Sequence, residues 1–196
     1  MMAASNPPAP GVRIEPRDGL GIATVLARRN AIAPLAARMR EHFALDLPRG
    51  PILSRVGDVS ILATGPGAWL AVHQHDGNRF VAAVREAVGD AASVSDQSDG
   101  LAVLRLSGTR VRDALCKLVA IDLHPRAFEP GRVAVTLAGH IGATLWRLED
   151  FADGAAAFEI AVPRSYAASF WQALCESCAE FGADPACGNT PFGSAR

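Results

Sequence analysis

Short apolar runs and helical repeats alternate along this chain in an order that occurs twice. Residues 20–27 (LGIATVLA) are a continuous apolar stretch of strand length. Asn30 stands where a helix cap belongs, ahead of Ile32, Leu35, Ala36, Met39 and Phe43 on one predicted helix face. Pro34 falls in the first turn, where a missing N–H costs little. Three short strands are expected over 52–56, 59–64 and 69–73, separated by Gly57-Asp58 and Gly65-Pro66-Gly67. Phe80, Val81, Val84 and Val88 then mark a second helix that stops at Gly89.

The order then repeats. Residues 101–106 are apolar on both faces apart from Arg105, as in a strand covered on both sides. Ser107 or Thr109 is expected to start a helix that turns Val111, Leu115 and Leu118 inward. Val133, Val135 and Leu137 alternate with Arg132, Ala134 and Thr136, and 141–148 supply a hairpin partner. Phe158, Ile160 and Val162 alternate with Glu159 and Ala161 in a third strand. Ser165 is then expected to cap a helix burying Ala167, Phe170, Trp171, Leu174, Cys178 and Phe181.

Both halves therefore read strand, helix, three strands, helix. Val72 falls on Val162, Leu70 on Ile160, Phe80 on Phe170 and Val84 on Leu174, all at one offset (162 − 72 = 90), whereas Leu35 falls on Leu115 at 115 − 35 = 80. The second half thus carries about ten extra residues, which the IDLHPRAFEPG loop is expected to absorb. The predicted fold class is α+β with this unit duplicated. Residues 12–182 form a single domain of two pseudo-repeats, about 20–89 and 101–181, between a flexible arm over 1–11 and a flexible tail over 183–196.

Charge narrows the function. Lys and Arg number 19 against 20 Asp and Glu, and the net charge of −1 has no basic run behind it, which argues against nucleic acid. Lys117 is the single lysine. No apolar stretch approaches the roughly 20 residues that cross a bilayer, so no membrane partner is expected. Residues 1–11 (MMAASNPPAPG) have no basic start and no apolar core, so the expected compartment is the cytoplasm, with Cys116, Cys175, Cys178 and Cys187 reduced.

Candidate chemistry is sparse. His73 and His75 project from one strand face but lack a third ligand nearby, and His42, His124 and His140 fall in other elements. Cys175 and Cys178 have CxxC spacing but lie well inside a predicted helix, away from the N-terminus that lowers a thiol pKa. Gly65-Pro66-Gly67 lacks the successive free N–H groups of a phosphate cradle, and Asp96 and Asp99 flank a turn with no second general acid or base at a telling spacing. No catalytic, cofactor-binding or metal-ligating residue is assigned. One polar cluster remains: Asp122, His124, Pro125 and Arg126, in a loop between a helix and a strand, where a structural turn and a partner contact are the two readings.

Segments 98–108 (SDGLAVLRLSG), 121–128 (IDLHPRAF) and 158–171 (FEIAVPRSYAASFW) resemble, in order, wording and position, the gamma subunits of heterotetrameric sarcosine oxidase. The resemblance runs from about 20 to 182 and is most specific after Ser95. It implies ferredoxin-like halves, related to the folate-binding T-protein of the glycine cleavage system. It also implies a non-catalytic chain that docks mainly on an alpha subunit, in a complex with beta and delta subunits that hold FAD, FMN and NAD. That complex is expected to convert sarcosine, oxygen and tetrahydrofolate to glycine, hydrogen peroxide and 5,10-methylenetetrahydrofolate. The Gly-Tyr-Thr-Gly-Glu-like pterin motif of the wider family is missing from 148–157 (LEDFADGAAA), so no cofactor is expected in this chain itself. A stand-alone folate-binding protein and an accessory subunit of a related amine or betaine demethylase are the alternatives.

Overall fold

In the computed structural model, which describes residues 11–182 together with Cys187, Pro191 and Phe192, the apolar runs become two five-stranded antiparallel sheets. The predicted flexible arm (but for Gly11) and most of the predicted tail lie outside the described residues. In chain order the strands and helices are β1 (Arg13–Pro16), β2 (Gly21–Ala27), α1 (Ile32–Phe43), β3 (Leu53–Val56), β4 (Val59–Gly65), β5 (Ala68–His73), α2 (Gly77–Val88) and β6 (Ala92–Asp96). The second half continues with β7 (Leu101–Gly108), α3 (Val111–Cys116), β8 (Val133–Ala138), β9 (Ile141–Arg147), β10 (Ala156–Pro163) and α4 (Ala167–Cys178).

One sheet runs β3-β4-β5-β2-β6 and the other β8-β9-β10-β7-β1. The duplicated unit is therefore present, and each half gains a fifth strand. β6 follows its own half, but β1, at the far end of the chain, completes the sheet of the second half by pairing Arg13 with Ser107 and Ile14 with Leu106. Where β1 meets the end of β7, Gly108 adopts φ +131° and a Cβ there would stand 2.3 Å from the Gly11 carbonyl oxygen, so only glycine fits. The two sheets meet along a pseudo-twofold. Leu53 N–H donates to Gly131 O (2.8 Å) and Val133 N–H to Pro51 O (2.8 Å), a reciprocal pair in which each residue is replaced by its equivalent 80 positions on (133 − 53 = 131 − 51 = 80).

Three apolar clusters build the molecule in four layers. Val25, Trp69 and Ala71 pack under α1 and α2 through Leu35, Met39 and Val84. Leu104, Phe158 and Ile160 pack under α3 and α4 through Leu115, Phe170 and Leu174. Between the sheets lie Ile22, Leu62, Leu70 and Val72 on one side and Val103, Val133, Trp146 and Ala161 on the other. Sheet faces that are apolar on both sides follow from this sandwich, as the 101–106 pattern requires.

The offset of 90 holds for the helices but slips in the strand. Leu70 and Val72 face the opposite sheet, whereas Ile160 and Val162 face the helices. With a side-chain period of two, an even offset would place them on the same face, so the strand equivalence is odd. The extra residues also enter elsewhere than expected. β3 follows the start of β2, and β8 the start of β7, at the same interval (53 − 21 = 133 − 101 = 32), because the longer loop after α3 is offset by a shorter helix and a shorter link before it. The insertion sits between β9 and β10, joined by 148–155 where β4 and β5 are joined by Pro66-Gly67.

Helix starts differ as well. Asn30 takes φ 59°, and neither it, Thr109 nor Ser165 caps: the residues preceding the three helices are Ala31, Arg110 and Tyr166, none with a side-chain cap bond. Tertiary burial of Leu35, Leu115 and Phe170 outweighs the missing caps, each worth only about 1 kcal/mol.

Phe170 and Leu174 are completely buried, so exchanging either for Ala is expected to cost about 2–5 kcal/mol, read from the urea midpoint. A loss below about 1 kcal/mol would remove that side chain from the core.

Candidate docking site

The 122–126 loop follows α3 after five residues and is held from beneath by two apolar side chains. Leu123 and Phe128 are buried, and Phe128 stacks on Phe158 with ring centroids 6.3 Å apart. Between those anchors the backbone is folded by short-range bonds. Asp122 Oδ1 accepts His124 N–H (2.8 Å), His124 Nδ1 accepts Arg126 N–H (3.2 Å), and the His124 carbonyl accepts the N–H groups of Ala127 and Phe128 (both 2.9 Å). Asp122, His124, Pro125 and Arg126 are therefore brought together on one exposed, internally braced turn.

A buried guanidinium fastens this turn to the sheet. Arg147, at the end of β9, is 3% exposed; its Nη1 donates to the Phe128 carbonyl (2.7 Å) and its Nη2 to both oxygens of Asp150 (2.8 and 2.9 Å). Arg112 of α3 reaches the same region, with its Cζ 5.8 Å from the Phe158 ring centroid. Neither Arg112 nor Arg147 was singled out by the sequence, where they read as ordinary members of an evenly spread arginine population.

The strongest buried polar feature also escaped the sequence reading, which places Glu159 on an outward face. Register sets Glu15, Arg105, Glu159, Trp146 and Val133 side by side across five strands, with their side chains on the face that meets the other sheet. Glu159 is 1% exposed. Its Oε1 accepts Arg105 Nε (3.0 Å) and Nη2 (2.7 Å), its Oε2 accepts Trp146 Nε1 (3.0 Å), and Arg17 Nε lies 3.3 Å from Oε1. Arg17 also donates to Gln74, so the network ties the two halves together. A single Arg in one apolar strand and a single Glu in another was the signal available.

The remaining candidates have structural employment. His73 Nδ1 accepts His75 N–H (3.1 Å) and its ring tilts against Phe80 at 5.3 Å, so the two imidazoles do not form a pair of ligands. Among the described residues no group of three His, Cys, Asp or Glu is placed to hold a metal. Gly65-Pro66-Gly67 is the β4–β5 turn, with Gly67 at φ +67°. Asp96 Oδ1 accepts Ser98 N–H, and this bond, foremost, holds its carboxyl below the usual range. Cys175 and Cys178 lie within α4, and burial pushes the Cys178 thiol up to about 11, the reverse of activation.

Two clefts flank these features. A polar one of about 580 Å³ is bordered by Arg17, His75, Ser98 and Arg164, but Arg164 is engaged by the carbonyls of Asp99 (2.8 Å) and Leu101 (2.9 Å). An apolar one of about 890 Å³ lies between Ile32, Pro51, Trp69 and Val135. In the polar cleft the Ser98 hydroxyl is taken up by the backbone, Ile22 N–H donating to its Oγ (3.1 Å).

A duplicated strand and helix sandwich with its charges committed to structure defines a T-protein-like scaffold, and known proteins bear this out. The aminomethyltransferase T of the glycine cleavage system from Bartonella henselae superposes with TM-score 0.61 at 14% identity, over 84% of this chain and 45% of that one. A chain of the heterotetrameric sarcosine oxidase from Corynebacterium sp. U-96, solved in complex with pyrrole 2-carboxylate, gives TM-score 0.76 at 24% identity over 88% of this chain and 86% of that one. The profile of the sarcosine oxidase, gamma subunit family matches residues 28–180, and the chain belongs to that family. Sarcosine oxidase subunit gamma of Corynebacterium sp. (strain P-1) is 33% identical over 114 residues, covering 57% of this chain and 56% of the relative. The Arthrobacter sp. subunit gamma is 32% identical over 98 residues, covering 50% and 48%. The matched part thus spans about half the length of these relatives.

Removing the Glu159 carboxylate leaves two guanidinium groups without their counter-ion. Glu159→Ala is therefore expected to lower stability by about 3–5 kcal/mol in urea denaturation, and a change under about 1 kcal/mol would show the network to be dispensable. Cys178 adds a pH dependence. Its thiol keeps its proton in the fold while the unfolded thiol ionises near 9, so stability falls as pH rises from about 9 to about 11. The fall, by up to about 2–3 kcal/mol, should be missing from the matched curve of Cys178→Ala.

Proposed function

We propose that this chain is the non-catalytic gamma subunit of a sarcosine oxidase complex, acting as a scaffold that docks chiefly on the alpha subunit beside beta and delta. The complex takes sarcosine, oxygen and tetrahydrofolate to glycine, hydrogen peroxide and 5,10-methylenetetrahydrofolate in the cytoplasm. FAD, FMN and NAD belong to the partner chains, which carry the redox and one-carbon chemistry. Membership of the gamma subunit family over 28–180 carries this reading. The interior supports it: the buried charged side chains, Glu159 and Arg147, are engaged in holding strands and loops rather than facing a cleft. The braced 122–126 turn, with Asp122, His124, Pro125 and Arg126 displayed, is the surface offered to the alpha subunit.

Exposed apolar side chains fit a subunit better than an isolated protein. Val135 and Leu137 on the edge strand β8 are 61% and 58% exposed, although on this strand they continue the face that Val133 buries between the sheets.

Purified alone, the chain should be colourless, inactive toward sarcosine and prone to self-association at high concentration, as read by absorbance, peroxide production and light scattering. Co-expressed with the alpha, beta and delta subunits of its source, it should purify with them in fixed stoichiometry. Sarcosine turnover by the chain alone, or failure to enter the complex, would overturn the proposal. Tight tetrahydrofolate binding by the isolated chain in calorimetry would favour the stand-alone folate protein instead.

A further inference from the structure

We propose that the open edge of β8 takes up a short extended segment of a partner subunit by strand addition, with one apolar side chain of that segment seated in the neighbouring cleft. The inference rests on the subunit reading above and gives it a mode of contact. Of the four strands at the sheet edges, three carry residues that discourage edge pairing: Arg13, Glu15 and Pro16 in β1, Arg55 in β3 and Asp96 in β6. β8 reads Val-Ala-Val-Thr-Leu-Ala, with no charge and no proline. An edge in that state is a template for another strand.

The backbone defines how much of the edge is open. Val133 N–H points away from β9 and donates to Pro51 O (2.8 Å), and Gly139 N–H does the same to Leu118 O (2.9 Å). Alternate residues of a strand turn their backbone groups to the same side, so Val135 and Leu137 also face outward. Pro51 has no N–H to return to the Val133 carbonyl. Among the described residues nothing across the edge bonds that carbonyl, either backbone group of Val135, or Leu137 N–H. A row of alternating acceptors and donors is matched by another backbone. The two closures stand six positions apart (139 − 133 = 6), about 20 Å at roughly 3.4 Å per residue, so the gap admits about three to five residues.

A second copy of this chain does not fit there. Its own β8 is flanked by the same two closures, which collide when two such edges lie side by side. Its other edge strands would bring Arg13, Glu15, Arg55 or Asp96 against apolar side chains. A loop or chain end of a different subunit meets neither obstacle.

Side chains set the chemistry of the occupant. Val135 lines the apolar cleft of about 890 Å³ with Ile32, Pro51 and Trp69, and Trp69 Nε1 already donates to Pro48 O (2.9 Å). A residue paired beside Val135 lays its side chain over that cleft, where an aliphatic or aromatic group fits. Among the described residues Arg49 is the one charged side chain lining it, and Arg49 is exposed, so an acidic neighbour of the anchor is favoured over a basic one. At the far closure Val119 bridges Ala138, and this segment leads directly into the displayed 122–126 turn.

The test uses the full chain co-expressed with the alpha, beta and delta subunits. Val135→Pro removes an outward N–H while Ala134, Thr136 and Ala138 keep the ladder to β9, and Val135→Thr keeps the N–H and the branched shape. Association of Val135→Pro should weaken by about tenfold or more, and that of Val135→Thr by less than about threefold. In the wild-type complex, hydrogen exchange at Val135 and Leu137 should slow by about tenfold or more relative to the isolated chain. Circular dichroism reports the folding of each variant, and the exchange measurement decides the matter if Val135→Pro does not fold. A folded Val135→Pro of wild-type affinity, or unchanged exchange in a formed complex, would overturn the proposal and leave the subunit reading intact. Protection of these two amides that grows with the concentration of the isolated chain would overturn it in favour of a second copy. A wild-type chain that never joins the complex would overturn both.

Discussion

A carboxylate placed between two β-sheets must be matched from every side, and the molecule is organised around meeting that demand for Glu159. Isolated in an apolar interior its charge would be prohibitive. Two donors and a second cation remove the difficulty: Arg105 from the next strand and Trp146 from the strand on the other side donate to it, and the charge of Arg17, from the link between β1 and β2, lies beside it. Because Arg17 also donates to Gln74 beyond β5, the cluster around this charge reaches from one half into the other. The contact thus joins the two halves at a buried charge.

The duplication sets what surrounds that contact. Each sheet carries helices on one face and its twin on the other, so every strand near the centre must be apolar on both sides, and the few polar exceptions must find one another. The twofold relation shows most directly at Pro51, Leu53, Gly131 and Val133, where equivalent backbone groups exchange hydrogen bonds across the sheets. Symmetry is broken where the insertion between β9 and β10 brings in Asp150 and anchors Arg147, whose other bond secures the exposed turn. The first half has Pro66-Gly67 at the matching position, and no such anchor can form there.

Much of this was legible in the chain itself, since periodicity separates strands from helices and the repeated order of elements reveals the duplication. The composition of 122–126 also pointed to a displayed turn. What periodicity could not supply was contact between remote segments. β1 is four residues long with a charged residue at every other position but one short apolar step, and nothing local announces that its partner lies near Ser107. Glu159 read as outward because alternation with Phe158 and Ile160 marks a half-buried strand; whether the second face meets water or another sheet is a tertiary fact. The offset of 90 slipped for the same reason: it matched residue types, and Leu70 and Ile160 are alike in type but occupy opposite faces. The caps failed because helices buried along Leu35 and Phe170 need little local help to begin.

The crossing of β1 has an implication for how the polypeptide comes into being. During synthesis residues 13–16 emerge before the first half of the duplication, yet the strand they join is made only after that whole half has been released. β1 therefore waits unpaired while its neighbours fold, and a cut anywhere around 98–100 would strand it on the wrong fragment. Two halves that look like independent copies are in this way stitched together by a strand of only four residues.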